Sequence, residues 1–184
     1  MEAVAVAVSV ASMLVAVAGT WLSNKRSKEA LAEARKAALA SLWSAVQDAV
    51  QRFVGFDPST EPVGDRLANL RIAMIALVDE LVDWTGLDEW LEAERTLGAT
   101  LGRQVMAQAK PGDTVDERLR ALDPYQTWAQ VLGGNLRRFR SQGYDAATAA
   151  KLRDHALETA RQIHQTNGWA MPPTANPAIK PLEP

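Results

Sequence analysis

The densest group of reactive side chains lies between Asp79 and Glu94, in the run Asp-Glu-Leu-Val-Asp-Trp-Thr-Gly-Leu-Asp-Glu-Trp-Leu-Glu-Ala-Glu. On helical spacing Glu80 and Asp83 share one face, and Asp88 and Glu92 share another. Carboxylates so placed could hold a hard cation or move protons. Metal sites in helical bundles, however, pair such glutamates with an E-x-x-H element, and that element occurs nowhere in the chain. The stretch therefore reads as an acidic surface that also carries Trp84 and Trp90. Tryptophan anchors flanked by charge suit protein recognition, which makes Asp83, Trp84, Glu89 and Trp90 candidate partner-binding residues. The competing reading is a solvated acidic face with both indoles turned inward.

A basic cluster, Arg137, Arg138 and Arg140, follows Gly133-Gly134-Asn135. Two glycines inside a helical pattern are costly, at ~1 kcal/mol each relative to alanine. They imply a bend, close packing or a bound ligand. The cluster lacks the Gly-x-x-x-x-Gly-Lys pattern of a phosphate loop. The leading reading is a solvent-exposed basic face; of the anionic partners it could take, a phospholipid headgroup, a nucleotide or the acidic stretch 79–94 of this or another copy, the last is preferred. Opposite charge is already present in the chain: residues 55–100 carry three basic and ten acidic groups, residues 101–184 eleven and eight.

The two histidines, His155 and His164, lie nine residues apart and do not meet on one helix face. They read as solvent-facing or helix-end histidines, His164 near the negative end of its helix. With no cysteine, the chain cannot form a disulfide, a thiolate zinc site, an iron–sulfur cluster or a cysteine nucleophile. No Ser-His-Asp arrangement or dinucleotide fingerprint can be assembled. The formal charge of −2 argues against general nucleic-acid affinity. The expectation is a non-enzymatic protein with no cofactor, no metal and no nucleic-acid partner.

Position is encoded more plainly than chemistry. Residues 3–22 are twenty consecutive residues without a charge. As a helix they span ~30 Å, the thickness of a bilayer's hydrocarbon core. Trp21 stands at the edge, and Lys25, Arg26 and Lys28 follow at once. Positive charge marks the cytoplasmic side, so the N-terminus is expected outside and the remainder inside. Ala3, Ala7, Ala11 and Gly19 form a row of small residues that permits close helix approach in lipid and hence a homo-oligomer. Two alternatives compete. Ala16-Val17-Ala18 resembles a signal cleavage site, although Glu2 has the wrong sign for a basic leader; cleavage there would give a secreted helical binding protein. The small-residue helix could also associate into a membrane-active assembly.

The rest predicts helices. Leu39, Leu42, Val46, Ala49 and Phe53, led by Leu31, follow alternating four/three spacing. This helix either runs unbroken from the apolar segment or restarts at Ser23, Asn24 or Ser27. A second pattern runs from Leu67 to Trp84, with Asp65 as its cap and Thr85-Gly86 as its end. A third starts at Asp88 and stops at Lys110-Pro111-Gly112. Thr114 and Glu117 form a capping box for a fourth, which Pro124 should interrupt with a kink. Its expected core face includes Leu119, Leu122, Trp128, Leu132, Leu136 and Phe139. Asp145 caps a fifth, closed by Asn167-Gly168. Residues 169–184 hold five prolines and read as an extended tail.

The expected fold is all-α: a transmembrane anchor over 1–22, a cytoplasmic antiparallel bundle of four or five helices over 23–168, and a Pro-rich tail over 169–184. The expected function is that of a single-pass scaffold, adaptor or accessory subunit at the inner face of a bacterial plasma membrane. Its partners would be the bilayer, through residues 3–22, and another protein.

Overall fold

The computed structural model describes residues 2–171, with side chains from residue 24 onward. The described residues form five helices and no strand: α1 (Glu2–Gln51), α2 (Gly64–Glu80), α3 (Leu87–Gln108), α4 (Val115–Gln142) and α5 (Ala146–Thr166). Contacts divide the chain into two units, Met1–Leu42 and Trp43–Pro184.

In the first unit the side chains of Ala3, Ala7, Ala11, Gly19 and Trp21 lie outside the described residues. Among the described residues, no helix is long and apolar enough to cross a membrane. Lys25, Arg26 and Lys28 are exposed. So is Leu31, which the heptad-like spacing placed in the core. One leucine among alanines and charged side chains makes no apolar stripe wide enough to pack.

The second unit is a helical bundle. The buried face of α1 begins at Trp43 and continues through Val46, Ala49 and Val50 to Phe53, just past the helix end. Phe53 stands edge-on to Trp128 at 5.4 Å and to Tyr125 at 6.1 Å. Tightened turns at Phe53 and Val54 and a left-handed Gly55 (φ 79°) close the segment. In the loop that follows, the Asp57 carboxylate accepts from the Ser59 backbone N–H at 2.8 Å and from Arg118 Nε at 2.9 Å. Burial pushes this carboxyl upward, but the Ser59 bonds and Arg118 together hold it below the ordinary aspartate value.

Several boundaries differ from the sequence reading. Helix α2 starts after Val63 with no side-chain cap, and Asp65 sits in its first turn. It ends at Glu80, so Leu81 and Trp84 belong to the turn before α3. Gly86, at φ 83°, is the residue before α3, and Asp88 lies in the first turn, where a negative charge faces the positive helix end. Helix α4 is unbroken through Pro124. Buried Leu122 and Tyr125 on either side of the proline anchor both turns, and this packing outweighs the lost backbone bond. Leu119 is exposed rather than core-facing. The Thr114–Glu117 capping box and the Asp145 cap stand where the residue types placed them.

Helix α3 is the hub, packed by α2, α4 and α5. Against α4 it runs antiparallel: Glu94 meets Trp128, and Gly102 meets Tyr125 further back along α4. Against α5 it runs parallel, since Arg153 meets Glu89 and His164 meets Thr100 at the same offset of 64 residues. The bundle is thus not antiparallel throughout; α5 returns beside α3 because α4 carries the chain back. Gly98 explains how closely α3 and α4 approach. A Cβ there would come within 2.9 Å of Trp128 Cζ3, and closer still to Cζ2 and Cη2. The indole occupies the space that any larger residue would need.

Candidate functional site

The two tryptophans of the acidic stretch are structural anchors in the folded bundle. Trp90 is fully buried, edge-on to Phe139 at 5.2 Å. Its Nε1–H donates to Glu94 Oε1 at 3.0 Å, and Trp128 Nε1–H donates to Glu94 Oε2 at 3.0 Å. Glu94 is only 6% exposed. Burial pushes its carboxyl above the ordinary glutamate value; the two indole bonds and the charge of His155 oppose this without cancelling it. Trp84 is half-buried, stacked on Tyr144 at 4.7 Å and tilted against Trp43 at 5.6 Å. Tyr144 in turn donates to the Thr85 carbonyl at 2.7 Å. Asp83 and Glu89 are exposed. Apart from Glu94, the stretch therefore presents its carboxylates outward and its indoles inward.

Arg137, Arg138 and Arg140 are exposed on α4. Arg138 Nε donates to Gln142 Oε1 at 3.1 Å. Among the described ion pairs, none joins this cluster to residues 79–94. The bridge to that acidic stretch comes from α5 instead, where Arg153 Nη1 lies 2.9 Å from Glu89 Oε2. Of the two adjacent glycines, Gly133 is buried beside Val50, whereas a Cβ on Gly134 would meet open space. A Cβ on Gly133 would make ordinary contact with Val50 at 3.6 Å, so packing demands glycine at neither position.

A groove runs between the parallel helices α3 and α5, with a cavity of about 750 Å³. That volume is within the range of small-ligand sites. Small residues of α3 create it: Ala93, Thr96, Ala99 and Thr100 face Leu157 of α5. The two threonine hydroxyls are already used: Thr96 Oγ1 donates to the Glu92 carbonyl at 2.9 Å, and the single proton of Thr100 Oγ1 faces both the Thr96 carbonyl at 2.9 Å and His164 Nε2 at 3.1 Å. The floor therefore presents methyl groups. Arg153–Glu89 closes one end. Eleven residues further along both helices, ~16 Å at helical rise, His164 closes the other.

His164 is buried, its Nε2 3.1 Å from Thr100 Oγ1. Its Nδ1 is 2.9 Å from the Ala170 carbonyl and must donate to it, because a carbonyl only accepts. That bond draws residues 169–171 across the end of the groove. Trp169 packs edge-on against the His164 ring at 5.7 Å, and the Arg103 guanidinium lies over the Trp169 ring at 4.1 Å. Met171 completes the lining. Along the rim, Arg95 forms a two-point pair with Glu92, which holds Glu92 below the ordinary glutamate value despite partial burial. Among the described residues no cluster of three or more His, Asp or Glu side chains converges as a metal site.

His164 lies in the last turn of α5, as its position in the sequence implies, but it is buried and its bonds to Thr100 and Ala170 are not legible from spacing. The signal for the groove was the run of small residues on α3, which is informative only once α5 is known to lie beside it. No protein-family model, curated protein or solved structure matches the chain.

Proposed function

We propose that the protein is a membrane-tethered, non-enzymatic helical adaptor. Residues 3–22 would cross a bacterial plasma membrane once and hold the bundle on the cytoplasmic side. The observation that carries this reading is the uncharged twenty-residue segment followed directly by Lys25, Arg26 and Lys28. A charge-free helix of that length matches the hydrocarbon thickness, and the positive cluster sets its orientation. Further support comes from the second unit, which has its own core beginning at Trp43. A tethered domain with an independent core can present the acidic residues Asp83 and Glu89, or the basic residues Arg137, Arg138 and Arg140, to a partner without rearranging. Ala3, Ala7, Ala11 and Gly19 favour self-association through the anchor.

The chain has no cysteine, so single-cysteine labelling reads its topology directly. In intact cells a membrane-impermeant maleimide should label Glu2→Cys. It should label Ser141→Cys only after permeabilisation. Equal labelling of both in intact cells, or neither until lysis, would refute the proposed arrangement.

A further inference from the structure

The groove between α3 and α5 has a chemical asymmetry that points to a class of ligand. Its middle is lined by Ala93, Ala99, Leu157 and the methyl groups of two threonines whose hydroxyls are already bonded. An extended peptide would find few partners there for its own N–H and C=O groups, and burying those groups unbonded is unfavourable. A simple hydrocarbon chain has no such requirement. At the Glu89 end the charges are balanced: Arg153 pairs with Glu89 and Asp154, and Arg95 pairs with Glu92.

The His164 end differs. Arg103 makes no ion pair or hydrogen bond among the described residues; its contact is the face of Trp169. A guanidinium stacked on an aromatic ring keeps its N–H edge available, and that edge matches the two oxygens of a carboxylate. Trp169, Ala170 and Met171 cover this end, held to the bundle by His164 and by Arg103 itself.

We propose that the α3/α5 groove binds a single-chain amphiphile of the fatty-acid class. The acyl chain would lie along Ala93, Ala99 and Leu157, with the carboxylate at Arg103 and residues 169–171 as the lid. This assignment rests on the groove alone and does not depend on the membrane tether.

The test is photo-crosslinking of the full chain with a diazirine-bearing twelve-carbon fatty acid. The chain is held in phospholipid nanodiscs, or in buffer if it fractionates as soluble, and labelled residues are mapped by mass spectrometry. Labels are expected on residues 93–103 and 157–171, and laurate should compete for them. Leu157→Trp and Ala99→Leu, which fill the groove from opposite helices, should each abolish that labelling while the melting transition is retained. Arg103→Gln should weaken laurate competition about tenfold, the loss of one charge-assisted contact. The same variant should leave competition by dodecanol unchanged. Labelling confined to residues 1–22, labelling indifferent to both groove-filling variants, or equal competition by laurate, dodecanol and dodecyltrimethylammonium would each overturn the assignment.

Discussion

Replacing Gly98 by alanine probes the α3/α4 contact more sharply than any truncation. On helix propensity alone the change should stabilise α3 by ~1 kcal/mol. The surroundings reverse that sign. The new methyl would come within 2.9 Å of Trp128 Cζ3 and nearer still to two other ring atoms. Trp128 cannot simply rotate away, because its Nε1–H is bonded to buried Glu94 and its ring packs against Phe53 in a T-shaped contact at 5.4 Å. Overpacking a closed core costs typically ~1–3 kcal/mol. Breaking a bond to a charged buried acceptor adds ~1.5–3 kcal/mol. Set against the propensity gain, Gly98→Ala should destabilise the bundle by ~1.5–5 kcal/mol, lowering the thermal midpoint by roughly 3–20 °C for a chain of this size. The control is Gly134→Ala, also mid-helix but facing open space, which should stabilise by ~1 kcal/mol. Urea unfolding followed by circular dichroism measures both. If the two alanine variants shift the midpoint in the same direction, the account of α3/α4 packing is wrong.

Three further expectations are independent of that one. Glu94 titrates above its ordinary value in the folded protein, so the folded state binds more protons than the unfolded chain between 4.5 and that raised value. Its contribution is therefore full below 4.5 and lost as pH rises through the window; urea midpoints of wild type should gain on those of Glu94→Gln as pH falls, and a constant difference would exclude this linkage. Thr114→Ala removes both the acceptor for the Glu117 N–H and a donor to the Glu117 carboxylate, and should cost ~1 kcal/mol in the same assay. Arg118→Ala strips two bonds from the half-buried Asp57–Ser59 loop and should cost ~1–2 kcal/mol after allowance for solvent screening, with increased proteolytic cleavage near Ser59 as a second readout.

Local rules placed the helices and several of their ends. Thr114, Asp145 and Gly168 were legible because a cap or a left-handed turn depends on a few adjacent residues. The breaks that failed were those that tertiary packing overrode. Pro124 sits inside α4 because Leu122 and Tyr125 are buried on either side of it. Asp65 and Asp88 had the right type for caps, but the helices start earlier, just after Val63 and Gly86, and leave both in the first turn.

The site was less legible still. Trp90 and Glu94 are four apart and hint at a bond, but Trp128 is 34 residues further on, and nothing local announces that it shares the same carboxylate. The parallel pairing of α3 with α5, which creates the groove, is a property of the assembled bundle. Arg153 rather than Arg137, Arg138 or Arg140 reaches the acidic stretch for the same reason: α5, not the end of α4, lies against Glu89.

In the proposed arrangement, residues 3–22 would hold an independently folded bundle at a membrane. Alkaline carbonate extraction of membranes from cells expressing the full chain, compared with a version lacking residues 3–22, tests it most directly. The account predicts that the full chain resists extraction, while the shortened chain is soluble and melts cooperatively at the same temperature as the bundle in the full chain. Release of the full chain by carbonate, or failure of the shortened chain to fold, would contradict it.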